Sequence, residues 1–370
     1  MERVGLFLSL LRSSVWGMSI DLHDQSWTHE QFHSIISLAK EQAVAGLVAQ
    51  ALVDSGVKLE RKDISTICGI LNRTQQYNSV LNQAVAGLCK GMNRRNIRIY
   101  VFKGQTLATL YPNGGLRQGG DIDFGCHPDD WETCLSVFKN NKKLNIIENT
   151  TEKHVSFNVS GVEFELHRKL TAFASPRHRR YWAEIVMPEI LNTLSSVNIN
   201  GYDVPTLNPT YNALYVFVHI FYHLIDEGVG LRQFCDWAML LNAMENGGCI
   251  MDKALLEKHL KGLGLMKAYT GLGAILTDYL GLPEEKFPFI ISPKEHKQAS
   301  KLFKNIIEMG NFGHNKQYIR HSGVIHGIQH LGRITMQARR FYAYAPSEAL
   351  WRVPYMFNWW LTKLRRKVSQ

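Results

Sequence analysis

Two aspartates one residue apart, Asp121 and Asp123, stand in the run Gly120-Asp121-Ile122-Asp123-Phe124. Read as a strand, the run alternates faces, so both carboxylates point one way while Ile122 and Phe124 point into a core. Neighbouring carboxylates repel each other. A divalent cation that prefers oxygen ligands relieves the repulsion, Mg²⁺ first and Mn²⁺ as the alternative. Upstream lies Lys103-Gly104. Gly104 lets the backbone come close to a ligand, and the helix start behind it offers free N–H groups to a phosphate. One short segment can thus supply a phosphate cradle and a metal dyad. Lys103 and Arg117 bring positive charge to the same stretch. A phosphoryl centre is highly charged, and its transfer depends mostly on positioning and charge neutralisation.

The elements that must position these groups can be read from periodicity. Ile97 to Phe102 is a β-rich run, and Gln105 to Tyr111 a short helix stopped by Pro112 and the glycines behind it. Pro128-Asp129-Asp130 starts a helix to about Asn140, and Leu144 to Ile147 reads as a short strand. Then comes a hairpin turning at Ser160-Gly161. Val155, Phe157 and Val159 share a face of its first strand, and Val162, Phe164 and Leu166 a face of its second. The opposite face of the second strand holds Glu163, Glu165 and His167. Either glutamate could be the third acid, taking a proton from an attacking hydroxyl or completing a metal cage. Arg177 to Leu191 reads as helix, and Val197 to Leu207 as a second hairpin turning at Asn200-Gly201.

Helices are expected on both sides of this core. His29 to Val53 reads as one amphipathic element ending at Asp54-Ser55-Gly56, and Asp63 to Asn93 as a long helix. After residue 207 the pattern is helical to the end, broken at Asn246-Gly247-Gly248, with Pro354 expected to kink or split the last helix. The expected class is α+β, a small mixed sheet with helices. It divides into a helical region 1–95, a core 96–207 and a helical domain 208–370 with a basic tail.

The stretch from Lys103-Gly104 through Arg117 to Asp121-Ile122-Asp123 resembles the turn–helix–loop–Asp-x-Asp signature of the polymerase-β-like nucleotidyltransferase superfamily, in the version of an uncharacterised bacterial branch. The usual turn there is Gly-Gly or Gly-Ser. The branch also carries a strand ending in acidic-Leu-His, matched by Glu165-Leu166-His167, and a helical Gly-x-Arg-x-x-x-Asp, matched by Gly230, Arg232 and Asp236. The resemblance covers roughly residues 100 to 245. It implies that Asp121, Asp123 and Glu165 hold Mg²⁺, with Glu165 preferred over Glu163. It also implies that a nucleoside triphosphate is the substrate, that its monophosphate passes to an acceptor hydroxyl, and that pyrophosphate leaves. His167 would orient Glu165 or touch a phosphate, and the helix of Arg232 and Asp236 would face the cleft. By spacing alone, Arg232 and Asp236 make an intrahelical pair. His219 and His223, also four apart, suit a core or substrate contact better than zinc, since no third ligand accompanies them.

The net charge of +10 is uneven: His314 to Gln370 holds ten Lys and Arg against one acid, Glu348. Interleaved with Trp351, Tyr355, Phe357, Trp359 and Trp360, those cations could lie on an anionic membrane surface or stack on nucleic acid, but a core helix with a solvated Arg365-Arg366-Lys367 end is the simpler expectation. Two rival functions follow: a nucleotide-binding protein without turnover on the same fold, and an adaptor working through the tail. The six cysteines form no zinc or C-x-x-C spacing, and Val4 to Leu11 is too short for a signal core. A cytoplasmic protein with reduced thiols is expected.

Overall fold

The structure, a computed structural model, describes residues 2–141, 144, 146–148, 154–226, 228–243, 250–311 and 324–368. Four helices open the chain: α1 (Glu2–Trp16), α2 (His29–Glu41), α3 (Ala45–Asp54) and α4 (Arg61–Asn93). The α+β core follows: β1 (Ile99–Val101), α5 (Gly104–Ala108), β2 (Ile122–Cys126), α6 (Trp131–Lys139), β3 (Ile146–Glu148), β4 (His154–Val159) and β5 (Val162–His167). Next come α7 (Pro176–Tyr181), a π-helical turn (Trp182–Val186), α8 (Met187–Asn192) and the hairpin β6 (Ser195–Ile199) and β7 (Tyr202–Thr206). Helices complete it: α9 (Pro209–Asp226), α10 (Leu231–Ala243), α11 (Lys253–Gly262), α12 (Met266–Asp278), α13 (Pro293–Met309), α14 (Val324–Phe341) and α15 (Pro346–Val368).

The main sheet is mixed, with strands in the order β1-β2-β5-β4-β3. Only β2 and β5 run parallel; the other neighbours are antiparallel. Strand alternation sorts the side chains onto two faces. Val101, Ile122, Phe124, Phe157, Phe164 and Leu166 bury against Leu81, Val85 and Leu88 of α4 and against Cys134 and Phe138 of α6. The opposite face carries Tyr100, Asp123, Gly125, Glu165 and His167. There Tyr100 and Phe102 join a larger core built jointly by α1 to α3 and the later helices α9 to α13. Arg12 and Trp16 of α1 reach across to donate to the carbonyls of Tyr279 and Leu280, which directly follow α12. Gly125 has no side chain because Tyr100 needs the space: a Cβ there would sit 2.5 Å from the tyrosine ring.

Four expectations need correction. The single element from His29 to Val53 is two helices, broken where Ala43 takes a positive φ of 56°. The break frees Gln42, whose side chain accepts from the Leu231 N–H and whose carbonyl accepts from the Arg232 N–H, capping the start of α10. Gly230 permits this approach, since a Cβ on it would lie 2.9 Å from the Gln42 carbonyl oxygen. The strand from Ile97 shrinks to three residues, and the helix after Lys103 is a single turn ending at Ala108. Finally, α15 is not split at Pro354 but continues through it. The carbonyl of Leu350 loses its partner there, but both residues are exposed, so water can replace the lost bond.

The first turns of α15 are docked on the body. Buried Glu348 accepts from the N–H groups of Ala174 and Ser175, from the Tyr222 hydroxyl, and bonds His178 Nδ1. Arg352 pairs with Asp226. Trp351 and Phe357 are exposed; the side chains of Trp359, Trp360, Arg365, Arg366 and Lys367, and the break at 246–248, lie outside the described residues. Cys89, Cys126, Cys134 and Cys235 are buried free thiols, while Cys68 is exposed. Among the described residues no helix is long and apolar enough to cross a membrane.

Candidate active site

Strand register assembles the acids. Parallel pairing sets Asp123 of β2 opposite Glu165 of β5, and Asp121 lies just ahead of β2 on the same side. One carboxylate oxygen from each of Asp121, Asp123 and Glu165 falls within 4.8 Å of the others. Glu163 is exposed one pleat further along the hairpin, opposite Asn158.

Asp123 is the buried centre. Its Oδ2 lies 2.8 Å from Lys103 Nζ and its Oδ1 2.7 Å from His167 Nε2. Burial alone would raise its titration point, but the lysine charge and the histidine contact outweigh burial and hold it well below the usual carboxylate range. Lys103 responds in kind: burial disfavours its charge, yet Asp123 keeps the ammonium above its ordinary value. Asp121 behaves oppositely. The charge of Asp123, with burial second, pushes it up to about 6. Glu165 is lowered, the His167 hydrogen bond overcoming its burial, and His167 is raised because the bonds to Asp123 and Glu165 outweigh its desolvation. An isolated dyad would leave one carboxylate in excess, and Asp121 is that carboxylate.

The backbone at Lys103 is strained. Its φ of 59° and ψ of −153° fall in a region occupied almost solely by glycine, at a cost of about 1–3 kcal/mol. Gly104 follows with φ 45°. Thr106 fastens the turn, its hydroxyl and its N–H both donating to the Lys103 carbonyl. The ammonium sits 5.6 Å from the Phe102 ring centre and 5.9 Å from that of Tyr215, over two aromatic faces that exclude water.

The two arginines are used differently. Arg117, 3% exposed, gives two parallel hydrogen bonds of 2.7 Å to Asp236, which also accepts from the Tyr111 hydroxyl at 2.8 Å. Asp236 thus pairs across the fold with Arg117 and not along its own helix with Arg232. Arg232 donates to the Gln118 carbonyl at 3.1 Å, and its Nε is buried without a hydrogen-bond partner. Burial, then the neighbouring charge of Arg117, lowers its affinity for its proton. A Cβ on Gly120 would lie 3.6 Å from its Nη1, so the arginine borders the loop that leads into Asp121. Helix α4 fixes that loop from behind. Asn78 donates to the carbonyls of Gly115 and Arg117, and the Tyr77 hydroxyl to that of Gly120.

Lys103, Asp121, Asp123, Glu165 and His167 therefore converge, Arg232 stands at their edge, and Arg117 with Asp236 lies behind the loop. His219 and His223 meet edge to face along α9, their ring centres 4.3 Å apart, with His219 6.2 Å from the Tyr215 ring. Tyr215, Asn78 and Tyr111 escaped sequence reasoning: each is an unremarkable helix or loop residue, brought in by packing alone. His154 had a legible signal, since the hairpin turn sets it opposite His167.

A profile for the family described as "Uncharacterised nucleotidyltransferase" matches residues 28–281. The chain belongs to that family. No curated protein matches it. Among solved structures it is similar to an antigenic nucleotidyltransferase-like protein from Paracoccidioides brasiliensis, at 15% identity, over 55% of this chain and 92% of that one, with a TM-score of 0.32. That likeness is too distant to carry an argument about the site. The family match extends well past the sheet, from α2 to the end of α12, while α1 and α13 to α15 lie outside it.

Proposed function

We propose that the protein transfers a nucleoside monophosphate from a nucleoside triphosphate to a hydroxyl acceptor, with Asp121, Asp123 and Glu165 as ligands of Mg²⁺ or Mn²⁺. The observation that carries the reading is the convergence of three carboxylates, one of them left with uncompensated charge, beside a buried lysine. The donor set fits: all three offer oxygen, as these hard cations require. Bound there, the cation would neutralise phosphate charge as pyrophosphate departs.

The chain's own groups have separable tasks. Glu165 is lowered and hydrogen-bonded, which suits a permanent ligand better than a proton acceptor near neutral pH. Lys103 is the phosphate cation held in reserve. Asp123 keeps it in place until a triphosphate offers it a stronger anion. Arg232 supplies the second cation at the loop edge. The single-turn helix α5 is too short to add a helix-end field, so the grip on phosphate falls to these two side chains. Arg117 and Asp236 hold the loop in register and touch no substrate. In the reaction the acceptor oxygen bonds to the α-phosphorus, the α–β bridging bond breaks, and the hydroxyl proton leaves to solvent.

The test is pyrophosphate release from each common nucleoside triphosphate with Mg²⁺ or Mn²⁺, against a panel of sugar, protein and RNA-end acceptors, in parallel with thermal shift. Release lost in Asp121→Asn/Asp123→Asn supports transfer. Nucleotide-dependent stabilisation without release from any acceptor points to a binding protein that does not turn over.

A further inference from the structure

The groups around Glu165 include more than oxygen ligands. His154 on β4 stands directly opposite His167 on β5. His154 Nε2 lies 3.4 Å from Glu165 Oε1, and His167 Nε2 lies 3.2 Å from Glu165 Oε2 and 2.7 Å from Asp123 Oδ1. Ligand atoms of His154, Glu165 and His167 all fall within 4.8 Å of one another. Ligand atoms about 2.1 Å from one tetrahedral ion sit about 3.4 Å apart, so the spacing is that of a coordination shell. Hydrogen bonding alone uses this arrangement poorly: one Nε2–H on His167 has one direction, yet two carboxylate oxygens face it. Lys103 holds the other Asp123 oxygen, which leaves Oδ1 turned toward His167. Among the described residues this cluster and the three-acid cluster are the two that could hold a metal, and they share Glu165.

We infer that His154, Glu165 and His167 form a three-ligand transition-metal subsite adjoining the carboxylate cage. Two imidazole nitrogens and one carboxylate oxygen, with a fourth position left to water, suit Zn²⁺ or Co²⁺, whereas Mg²⁺ takes oxygen ligands. The subsite rests on the pairing of β4 with β5 and needs no nucleotide. Its occupation would fix Glu165 on the imidazole side and settle which of its oxygens remains for the neighbouring ion.

The experiment is a Co²⁺ titration of the full chain, stripped with chelator and without nucleotide, followed by visible absorption. One equivalent should develop the absorption of a four- or five-coordinate nitrogen–oxygen site, and Mg²⁺ at equal concentration should not displace it. His154→Gln should weaken binding by about tenfold or more, His154→Ala should agree, and Asp121→Asn should keep the band. The inference is overturned if the band is absent, if it persists unchanged in both His154 variants, or if Asp121→Asn removes it as completely as they do. Circular dichroism melting establishes that each variant is folded. Because no nucleotide is present, either result leaves the transfer reading to its own assay.

Discussion

Asp121 and Asp123 are chemically identical and two residues apart, yet replacing each by asparagine should move stability in opposite directions. Asp121 titrates at about 6 against an ordinary 3.8. That difference of about 2 pH units, at about 1.4 kcal/mol each, sets a ceiling near 3 kcal/mol. The side chain reaches solvent, so roughly half survives screening, and Asp121→Asn should stabilise the metal-free protein by about 1–2 kcal/mol. The pH dependence has a definite sign. The folded protein holds this proton more tightly than the unfolded chain, so stability is lost as pH rises from about 4 to about 6, and the penalty is complete above 6. The gain in Asp121→Asn should therefore be full at pH 7 and absent below pH 4. Asp123→Asn strips the counter-charge from buried Lys103 and His167 and should cost about 3 kcal/mol, the low end for a broken buried pair because Asp121 partly stands in. Urea denaturation in EDTA at pH 7 and pH 4 reads both. Destabilisation by both substitutions at pH 7 would refute the charge assignment.

Arg117→Met and Asp236→Leu should each cost about 3–5 kcal/mol, while the double substitution should cost less than their sum, because each single change strands a buried charge; denaturant melts of the four proteins measure the coupling. Gly125→Ala drives a Cβ to 2.5 Å from the Tyr100 ring and should cost about 1–3 kcal/mol, read as a lowered melting temperature. Glu348→Gln leaves two backbone N–H groups, Tyr222 and His178 facing a neutral amide and should cost about 2–3 kcal/mol. Limited proteolysis should then release the chain after α14 faster than in the wild type.

Local pattern carried the site further than it carried the frame. Period-two alternation placed Asp121 with Asp123 and Glu165 with His167, and the structure keeps those pairs on one face because the opposite residues, Ile122, Phe124, Phe164 and Leu166, are obligate core. Neither the parallel pairing that brings Glu165 to Asp123 nor the bond from Arg117 to Asp236 could be read the same way, since each joins residues far apart in the chain. The spacing of Arg232 and Asp236 suggested a helix pair, but Arg117 reaches buried Asp236 with two parallel hydrogen bonds, a geometry stronger than a single intrahelical contact. The break between α2 and α3 was hidden because Ala43 is not a turn residue by type. Tertiary demand for Gln42 at the start of α10 put it in a left-handed conformation. Nor was the positive φ of Lys103 legible, since lysine rarely adopts it; the ion pair to Asp123 holds the side chain there.

The most direct test of the central claim is calorimetric titration of the common ribonucleoside triphosphates, with and without Mg²⁺ or Mn²⁺, into the wild-type protein and Glu165→Gln. The account predicts that at least one triphosphate binds, that binding requires the divalent ion, and that Glu165→Gln weakens it about tenfold or more. Binding indifferent to both the ion and the substitution, or no binding by any triphosphate, would contradict it.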